Sequence, residues 1–353
     1  MLGKRRALFY SKLTDKRVRC ELCPWNCILE DGRVGLCRVR KNIGGELYTL
    51  NYGIVSSMAI DPIEKKPLFH FHPGTPIFSI STFGCNFKCP WCQNWEISQA
   101  EPSLSYGTYN SPENIVSLAS KYGTPLIAYT YNEPLIWYEF ILDTARLAKK
   151  EGLMNVLVTN GHINIKPLET LAPFIDAANV DIKAFNPKTY LRIIGGKLEK
   201  VLEATEYMKN KGIHVETTYL VVPGLNDSVD EFKSMVRWHL EKLGEDTPLH
   251  ISRFFPHYKY LNVEPTPTSK LEEFWKIAKE MGLKYVYVGN LPGHKGENTY
   301  CPSCKRVVIA RIGFMITGWN LTDDMRCKFC GEKIDIRGKR WEKKDRNYWW
   351  MYI

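Results

Sequence analysis

Eleven cysteines carry most of the chemistry that this sequence can offer, and they fall into three groups. Cys20, Cys23, Cys27 and Cys37 come first, Cys85, Cys89 and Cys92 second, and Cys301, Cys304, Cys327 and Cys330 last. The middle group has the order Cys-x3-Cys-x2-Cys within the stretch TFGCNFKCPWCQNW over residues 82–95. Three thiolates on a short, turn-rich loop can converge on one face of an iron–sulfur cube, because soft sulfur suits iron and each iron takes one ligand. Three ligands for four irons leave one iron open, and an open metal position is where catalysis is expected. The same loop also admits a zinc site completed by His70 or His72, or a set of buried thiols.

The flanking groups are complete. Cys301-x2-Cys304 and Cys327-x2-Cys330 are two knuckles of the kind that hold a tetrahedral structural zinc, as in zinc ribbons, with no open position. Cys20 to Cys37 lie among turn formers and predict a small metal-organised lobe with little core of its own. Zinc and a second iron–sulfur cluster both fit that lobe, and an auxiliary cluster there would relay electrons or bind substrate. Cysteines clustered in this way read as ligands in a reducing compartment, not as disulfides.

The elements that position these groups follow from periodicity. Apolar strands are expected at Pro76–Thr82, Pro125–Thr130, Asn155–Thr159, Asn179–Lys183, His214–Val222, Leu249–Arg253 and Lys284–Val288. Amphipathic helices are expected between them, near 112–121, 135–150, 166–173, 198–211, 228–242 and 269–281. Repeated βα units predict an α/β fold with a parallel sheet, a partial (β/α)6 TIM-like barrel. The expected organisation is a Cys-rich lobe over 1–75, the partial barrel over 76–290 and a ribbon-like unit over 291–353. The histidines of the connecting stretch 61–72 read as packing or hydrogen-bonding groups.

Working groups of such barrels sit at the C-terminal ends of strands. Here those ends carry the cysteine loop, then Tyr131-Asn132-Glu133-Pro134, Thr159-Asn160-Gly161, Asp181-Ile182-Lys183, Val222-Pro223-Gly224 and the segment from Arg253 to His257. Each alone is a common turn or cap, but they recur at equivalent places in successive units.

The net charge of +10 is concentrated at the ends of the chain, with +6 over residues 1–20 and +3 over 331–353. A basic channel along the core is therefore not indicated, and nucleic acid is not the expected partner. A zinc-stabilised nucleic-acid-binding protein is kept only as a distant alternative, and it predicts steeply salt-dependent affinity. The aromatic and basic tail from Arg340 to Ile353 is expected to form a last strand on the ribbon. No apolar run approaches the roughly 20 residues of a membrane span, and the start of the chain lacks the apolar core of a secretion signal. A cytoplasmic location is expected.

The cysteine loop resembles that of the radical S-adenosylmethionine (radical SAM) superfamily. The chain from that loop through Val222-Pro223-Gly224-Leu225, including Asp181-Ile182-Lys183, Asn186 and Gly195, is similar to the activating enzymes of glycyl-radical proteins, such as pyruvate formate-lyase activating enzyme. As a whole it resembles the radical SAM member of the AmmeMemoRadiSam system, through its N-terminal cysteine lobe, residues 251–256 and Tyr287-Val288-Gly289-Asn290. The resemblance implies that Cys85, Cys89 and Cys92 bind a [4Fe–4S] cluster whose open iron takes S-adenosylmethionine. It also implies that Trp91, Tyr131, Asn132, Glu133, Thr159, Asn160 and Val222 surround that molecule. Tyr131, Asn132 and Glu133 stand where the superfamily usually has Gly-Gly-Glu. Val158 replaces an acid that helps bind a cation in the activating enzyme, and Thr218 replaces a basic residue.

The implied reaction is one-electron cleavage of S-adenosylmethionine to a 5′-deoxyadenosyl radical, which abstracts hydrogen from a protein partner. The alternative substrate is a small metabolite or nucleotide. Asp181, Lys183 and His257 are the substrate-side candidates. A ferredoxin or flavodoxin is the expected electron donor, and the companion Memo-like and AMME-region proteins are expected partners.

Overall fold

The computed structural model describes residues 3–341. The tail expected to form a last strand lies, beyond Trp341, outside the described residues. Eight strands build the central sheet: β1 Ser57–Pro62, β2 Pro76–Ser81, β3 Leu126–Tyr129, β4 Met154–Thr159, β5 Ala177–Asp181, β6 His214–Val221, β7 Leu249–Arg253 and β8 Val286–Gly289. They neighbour one another in sequence order, and β2 to β8 are all parallel. The helices α1 Pro112–Lys121, α2 Tyr138–Lys150, α3 Ile165–Leu171, α4 Leu198–Asn210, α5 Val229–Leu243 and α6 Thr268–Glu280 make the crossovers.

This is the α/β partial barrel that the strand and helix periods predict. Strands such as β2 and β3 are buried at every residue, since a parallel sheet must be covered on both faces. Each such Ile, Leu or Phe removed from water contributes about 1.5–3 kcal/mol. Helix α1 begins where Ser111 accepts a hydrogen bond from Asn114 N at 3.2 Å and Pro112 occupies the first turn.

The sheet has an additional edge. β1 pairs antiparallel with β2 from Ser57 opposite Ser81 to Pro62 opposite Pro76, so part of the connecting stretch is a strand. Asp61 in β1 pairs with buried Lys66 at 2.6 Å, which fixes the turn that follows. Its carboxyl is held below the usual range: burial opposes ionisation, but Lys66, Lys65 and the Tyr131 hydroxyl outweigh it.

Register aligns the strand ends on one rim. Tyr129 pairs with Ile80 and Leu157, Thr159 with Val180, Asp181 with Thr218, and Val221 with Arg253. At the opposite end, the buried Glu216 carboxylate accepts from Phe69 N (3.0 Å), His70 N (2.7 Å), His214 (3.0 Å) and His250 (2.6 Å). His70 bonds Tyr287 Oη at 2.5 Å and the Asp335 carbonyl at 2.6 Å, and burial pushes its imidazole down to about 4. Both ring nitrogens are thus committed to structure, as the sequence suggested.

Three antiparallel strands, Thr299–Tyr300, Val307–Ile312 and Met315–Trp319, precede the second cysteine knuckle and share a core with Phe69, Tyr285 and Tyr287. At the other end of the chain, two small antiparallel sheets carry the first cysteine group. Its Val18, Leu22, Leu29 and Leu47 belong to the same core as the barrel.

Candidate active site at the strand ends

The cysteine loop leaves β2 and is clamped from four directions. Asn132 accepts from Thr82 N (3.3 Å) and donates to Gly84 O (2.8 Å), so its amide braces the loop. Asn86 donates to His162 O at 2.8 Å and accepts from Asn160 Nδ2 at 2.9 Å. Lys88 N donates to Ile194 O at 2.8 Å, in a π-helical turn over Tyr190–Ile194. Lys259 N, from the loop after β7, donates to Pro90 O at 2.9 Å.

Around the sulfurs the donors are specific. Phe87 N donates to Cys85 Sγ at 3.3 Å, and Asn160 Nδ2 reaches the same sulfur at 3.8 Å. Cys92 Sγ lies 3.2 Å from Ser98 Oγ. None of the three is in a disulfide. Burial pushes the Cys85 thiol well up, and it pushes Cys89 up to about 12 although Lys183 pulls the other way. Burial disfavours a bare thiolate at Cys85 and Cys89, and a cationic metal would offset that cost. A set of three free thiols with N–H donors aimed at one sulfur fits an iron–sulfur cluster. Among the described residues, the set of His, Cys, Asp or Glu ligand atoms that closes within 4.8 Å is Cys301, Cys304, Cys327 and Cys330, so neither His70 nor His72 completes the middle loop.

Tyr131 has φ +68°, a left-handed conformation that favours glycine, and so keeps the backbone shape expected of the residue it replaces. Its hydroxyl donates to Asp61, Lys66 lies 4.4 Å from its ring centre, and its carbonyl accepts from Asn94 Nδ2 at 2.6 Å. Glu133 is buried and accepts from Leu135 N (2.9 Å), Thr159 Oγ1 (2.7 Å) and Asn160 N (2.7 Å). Burial raises its carboxyl to about 7 against those three donors. The structure therefore brings Glu133, Thr159 and Asn160 into one hydrogen-bonded unit that ends on Cys85.

Trp91 is buried with its ring 5.7 Å from that of Tyr260. Val222 is buried and held by Asn226 Oδ1, which accepts from its N–H at 2.7 Å. Asp181 and Lys183 form an ion pair at 3.1 Å. Burial would lower the Lys183 ammonium, but Asp181 and the nearby Cys89 sulfur outweigh it and hold it above its ordinary value. His257 lies on the loop that bonds Pro90, and its Nδ1 is bonded inside that loop to Phe255 O at 2.9 Å. Val158 and Thr218 occupy the two substituted positions, and Thr218 donates to Asn179 at 2.9 Å.

Sequence reasoning missed the braces Asn86, Asn226 and His162. His162 is buried against the Phe87 ring at 5.1 Å, and burial lowers its imidazole to about 3. A single Asn or His in a loop has no spacing signal.

At the C-terminus, Cys301 Sγ lies 3.5 Å from Cys330 Sγ, and Cys304 Sγ lies 3.7 Å from Cys327 Sγ. These separations suit one tetrahedral ion, whose sulfurs at 2.3 Å from the metal stand about 3.8 Å apart.

Several known proteins are similar to this chain. The model of the radical SAM superfamily matches residues 79–238. An uncharacterized protein of Methanocaldococcus jannaschii is 49% identical over 333 residues, covering 94% of this chain and 99% of that one. Pyruvate formate-lyase 1-activating enzyme of Escherichia coli is 25% identical over 222 residues, 58% of this chain and 89% of the relative. A radical SAM methyltransferase structure from Sphaerobacter thermophilus aligns with a TM-score of 0.48 at 15% identity, over 64% of this chain and 71% of that one. With its cysteine loop, parallel sheet and matched segment together, the chain belongs to the radical SAM superfamily.

Proposed function

We propose that the rim of this sheet is a radical SAM active site that abstracts hydrogen from a docked protein. The observation that carries the reading is the continuous hydrogen-bonded path from Glu133 through Asn160 to Cys85, which joins the acid of the second strand end to the cysteine loop of the first. When bound at Cys85, Cys89 and Cys92, a [4Fe–4S] cluster supplies one-electron cleavage of the S-adenosylmethionine C–S bond, giving methionine and a 5′-deoxyadenosyl radical.

Each residue then has a defined task. The three cysteines hold three irons, and Phe87 N–H and the Asn160 amide moderate the charge on the Cys85 sulfur. Lys183 offsets negative charge beside Cys89. Glu133 fixes Thr159 and Asn160, while the left-handed turn at Tyr131 presents backbone toward the methionyl end. Trp91, Tyr260 and Val222 form the apolar wall toward adenine and exclude water.

A protein substrate is supported by the mouth of the site. Trp95, Leu191, Ile193, Phe255 and Leu261 are exposed on the cysteine loop and on the two segments that bond it, and exposed apolar side chains suit a protein partner. The relatives named as activating enzymes point the same way. Asp181, Lys183 and His257 are the polar groups on that side. The companion Memo-like and AMME-region proteins are the first candidates, and a ferredoxin or flavodoxin supplies the electron. The four C-terminal thiolates hold a structural zinc.

Anaerobically reconstituted, reduced protein is expected to convert S-adenosylmethionine to methionine and 5′-deoxyadenosine. A Cys89→Ala variant is expected to yield neither. Product from the variant, or none from the wild type, contradicts the reading. Deuterium passing into 5′-deoxyadenosine from a labelled companion protein, but not from labelled nucleotides, identifies the substrate class.

A further inference from the structure

The first cysteine group lies directly against the active-site loop. At Gly84, the residue before Cys85, an added Cβ would stand 2.4 Å from the Cys37 carbonyl oxygen and 2.7 Å from Val39. Trp25, between Cys23 and Cys27, donates from Nε1 to Asn86 O at 3.1 Å. The Trp25 ring also packs on His162, which packs in turn on Phe87. The lobe and the loop therefore share backbone and ring contacts on both sides of Cys85.

Within the lobe the four cysteines lie on two turns. Cys20 N donates to Cys27 O at 2.9 Å, closing the turn that carries Cys23, and Gly35 N donates to Arg40 O at 2.8 Å, closing the turn that carries Cys37. A Cβ at Gly35 would stand 3.9 Å from both the Cys27 and the Cys37 sulfurs. Cys20, Cys23 and Cys37 are buried, and none of the four is in a disulfide. Arg40 is 1% exposed beside Cys20 and Cys37, and its Nε has no partner. Its charge is paired with buried Glu139, which leaves that one N–H free.

The spacing separates this set from the C-terminal one. Both are four cysteines, yet among the described residues only the C-terminal sulfurs close to the span of a single tetrahedral ion. Cysteines bound to different corners of a cube must stand farther apart than ligands of one zinc. We propose that Cys20, Cys23, Cys27 and Cys37 bind a second [4Fe–4S] cluster, fully ligated by cysteine, which exchanges single electrons with the cluster at Cys85, Cys89 and Cys92. Such a cluster takes one electron from an external low-potential iron–sulfur or flavin protein and gives one electron to its neighbour, so no further reactant is needed. Four cysteines leave it no open iron, so it does not bind S-adenosylmethionine.

The inference rests on the proposed function only for its electron acceptor, and the tests are separable. Reconstituted wild-type chain is expected to hold about eight iron, about eight sulfide and about one zinc. A chain with Cys85→Ser, Cys89→Ser and Cys92→Ser is expected to keep about four iron and about four sulfide. Its reduced paramagnetic signal should not change with S-adenosylmethionine. If the active-site reading fails instead, the wild type lacks an S-adenosylmethionine-responsive signal while the triple variant still holds its cluster. About four iron with about two zinc in the wild type overturns the second cluster. The signal of the fully reduced wild type should show magnetic broadening absent from the triple variant, and a wild-type spectrum that is a simple sum of two isolated clusters overturns the electron exchange.

Discussion

Gly196→Ala adds one methyl group outside the active site, and the structure places that methyl inside the cysteine loop. The new Cβ would lie 2.2 Å and 2.7 Å from atoms of the Phe87 ring. Ordinary contact begins near 3.4 Å, so the ring must move by 1.2 Å, the difference between 3.4 and 2.2. Phe87 is 3% exposed and is held by the rings of His162 and Tyr190, so it has no free space to enter. Overpacking of this kind costs about 1–3 kcal/mol, well within what a chain of this size tolerates. Phe87 stands between Cys85 and Cys89, however, and its N–H is the donor to the Cys85 sulfur. A displacement of about 1 Å in a reacting group can cost about a hundredfold in rate. The expected outcome is a folded protein with a thermal midpoint lower by a few degrees. Its 5′-deoxyadenosine formation per bound cluster should fall by at least about tenfold. Phe87→Leu in the same chain should recover part of the loss by making room. Unchanged turnover in Gly196→Ala would refute the placement of Phe87 as the wedge that sets the loop.

Other outcomes follow from the same contacts. His239 is buried, with Nε2 3.1 Å from Thr217 Oγ1 and Nδ1 unpartnered, and burial holds its imidazole down at about 3. The unfolded chain therefore binds the proton first, and stability present above about pH 6.5 is lost as pH falls, by about 1.4 kcal/mol per unit. Between pH 6.5 and pH 5 the wild type should lose about 2 kcal/mol more than His239→Gln, measured by urea unfolding at both pH values. Arg40 and Glu139 form a buried ion pair at 2.5 Å; Arg40→Met should cost about 3–5 kcal/mol, and adding Glu139→Met should recover most of it in thermal melts. Cys304→Ser should release the C-terminal zinc and lower the thermal midpoint, while the S-adenosylmethionine-responsive signal stays. Metal analysis and spectroscopy of that one variant decide both points.

Much of this architecture was legible because parallel strands are buried on both faces and their helices carry a stripe. Leu249–Arg253 and residues 112–121 are found where their apolar runs and caps put them. β1 was not legible, because Ser57–Pro62 is short and its burial depends on a partner, β2, that only the folded sheet supplies. The positions of the strand-end turns could be read, since such turns recur with the βα period. What those side chains bond to could not be read. Asn132 lay on the expected turn, yet its amide is spent on Thr82 and Gly84. Tyr131 has no glycine, yet its left-handed turn survives because Asp61 and Lys66, seventy and sixty-five positions earlier, hold its ring. The difference between the two four-cysteine sites is likewise one of distance, which spacing along the chain does not encode.

The central claim is that Cys85, Cys89 and Cys92 hold a cluster with one iron open to S-adenosylmethionine. Its most direct measurement is electron paramagnetic resonance of the anaerobically reduced wild type with and without S-adenosylmethionine. The account predicts a paramagnetic cluster signal whose shape changes when S-adenosylmethionine is added, and no such change in Cys89→Ala. A signal indifferent to S-adenosylmethionine in the wild type would contradict it.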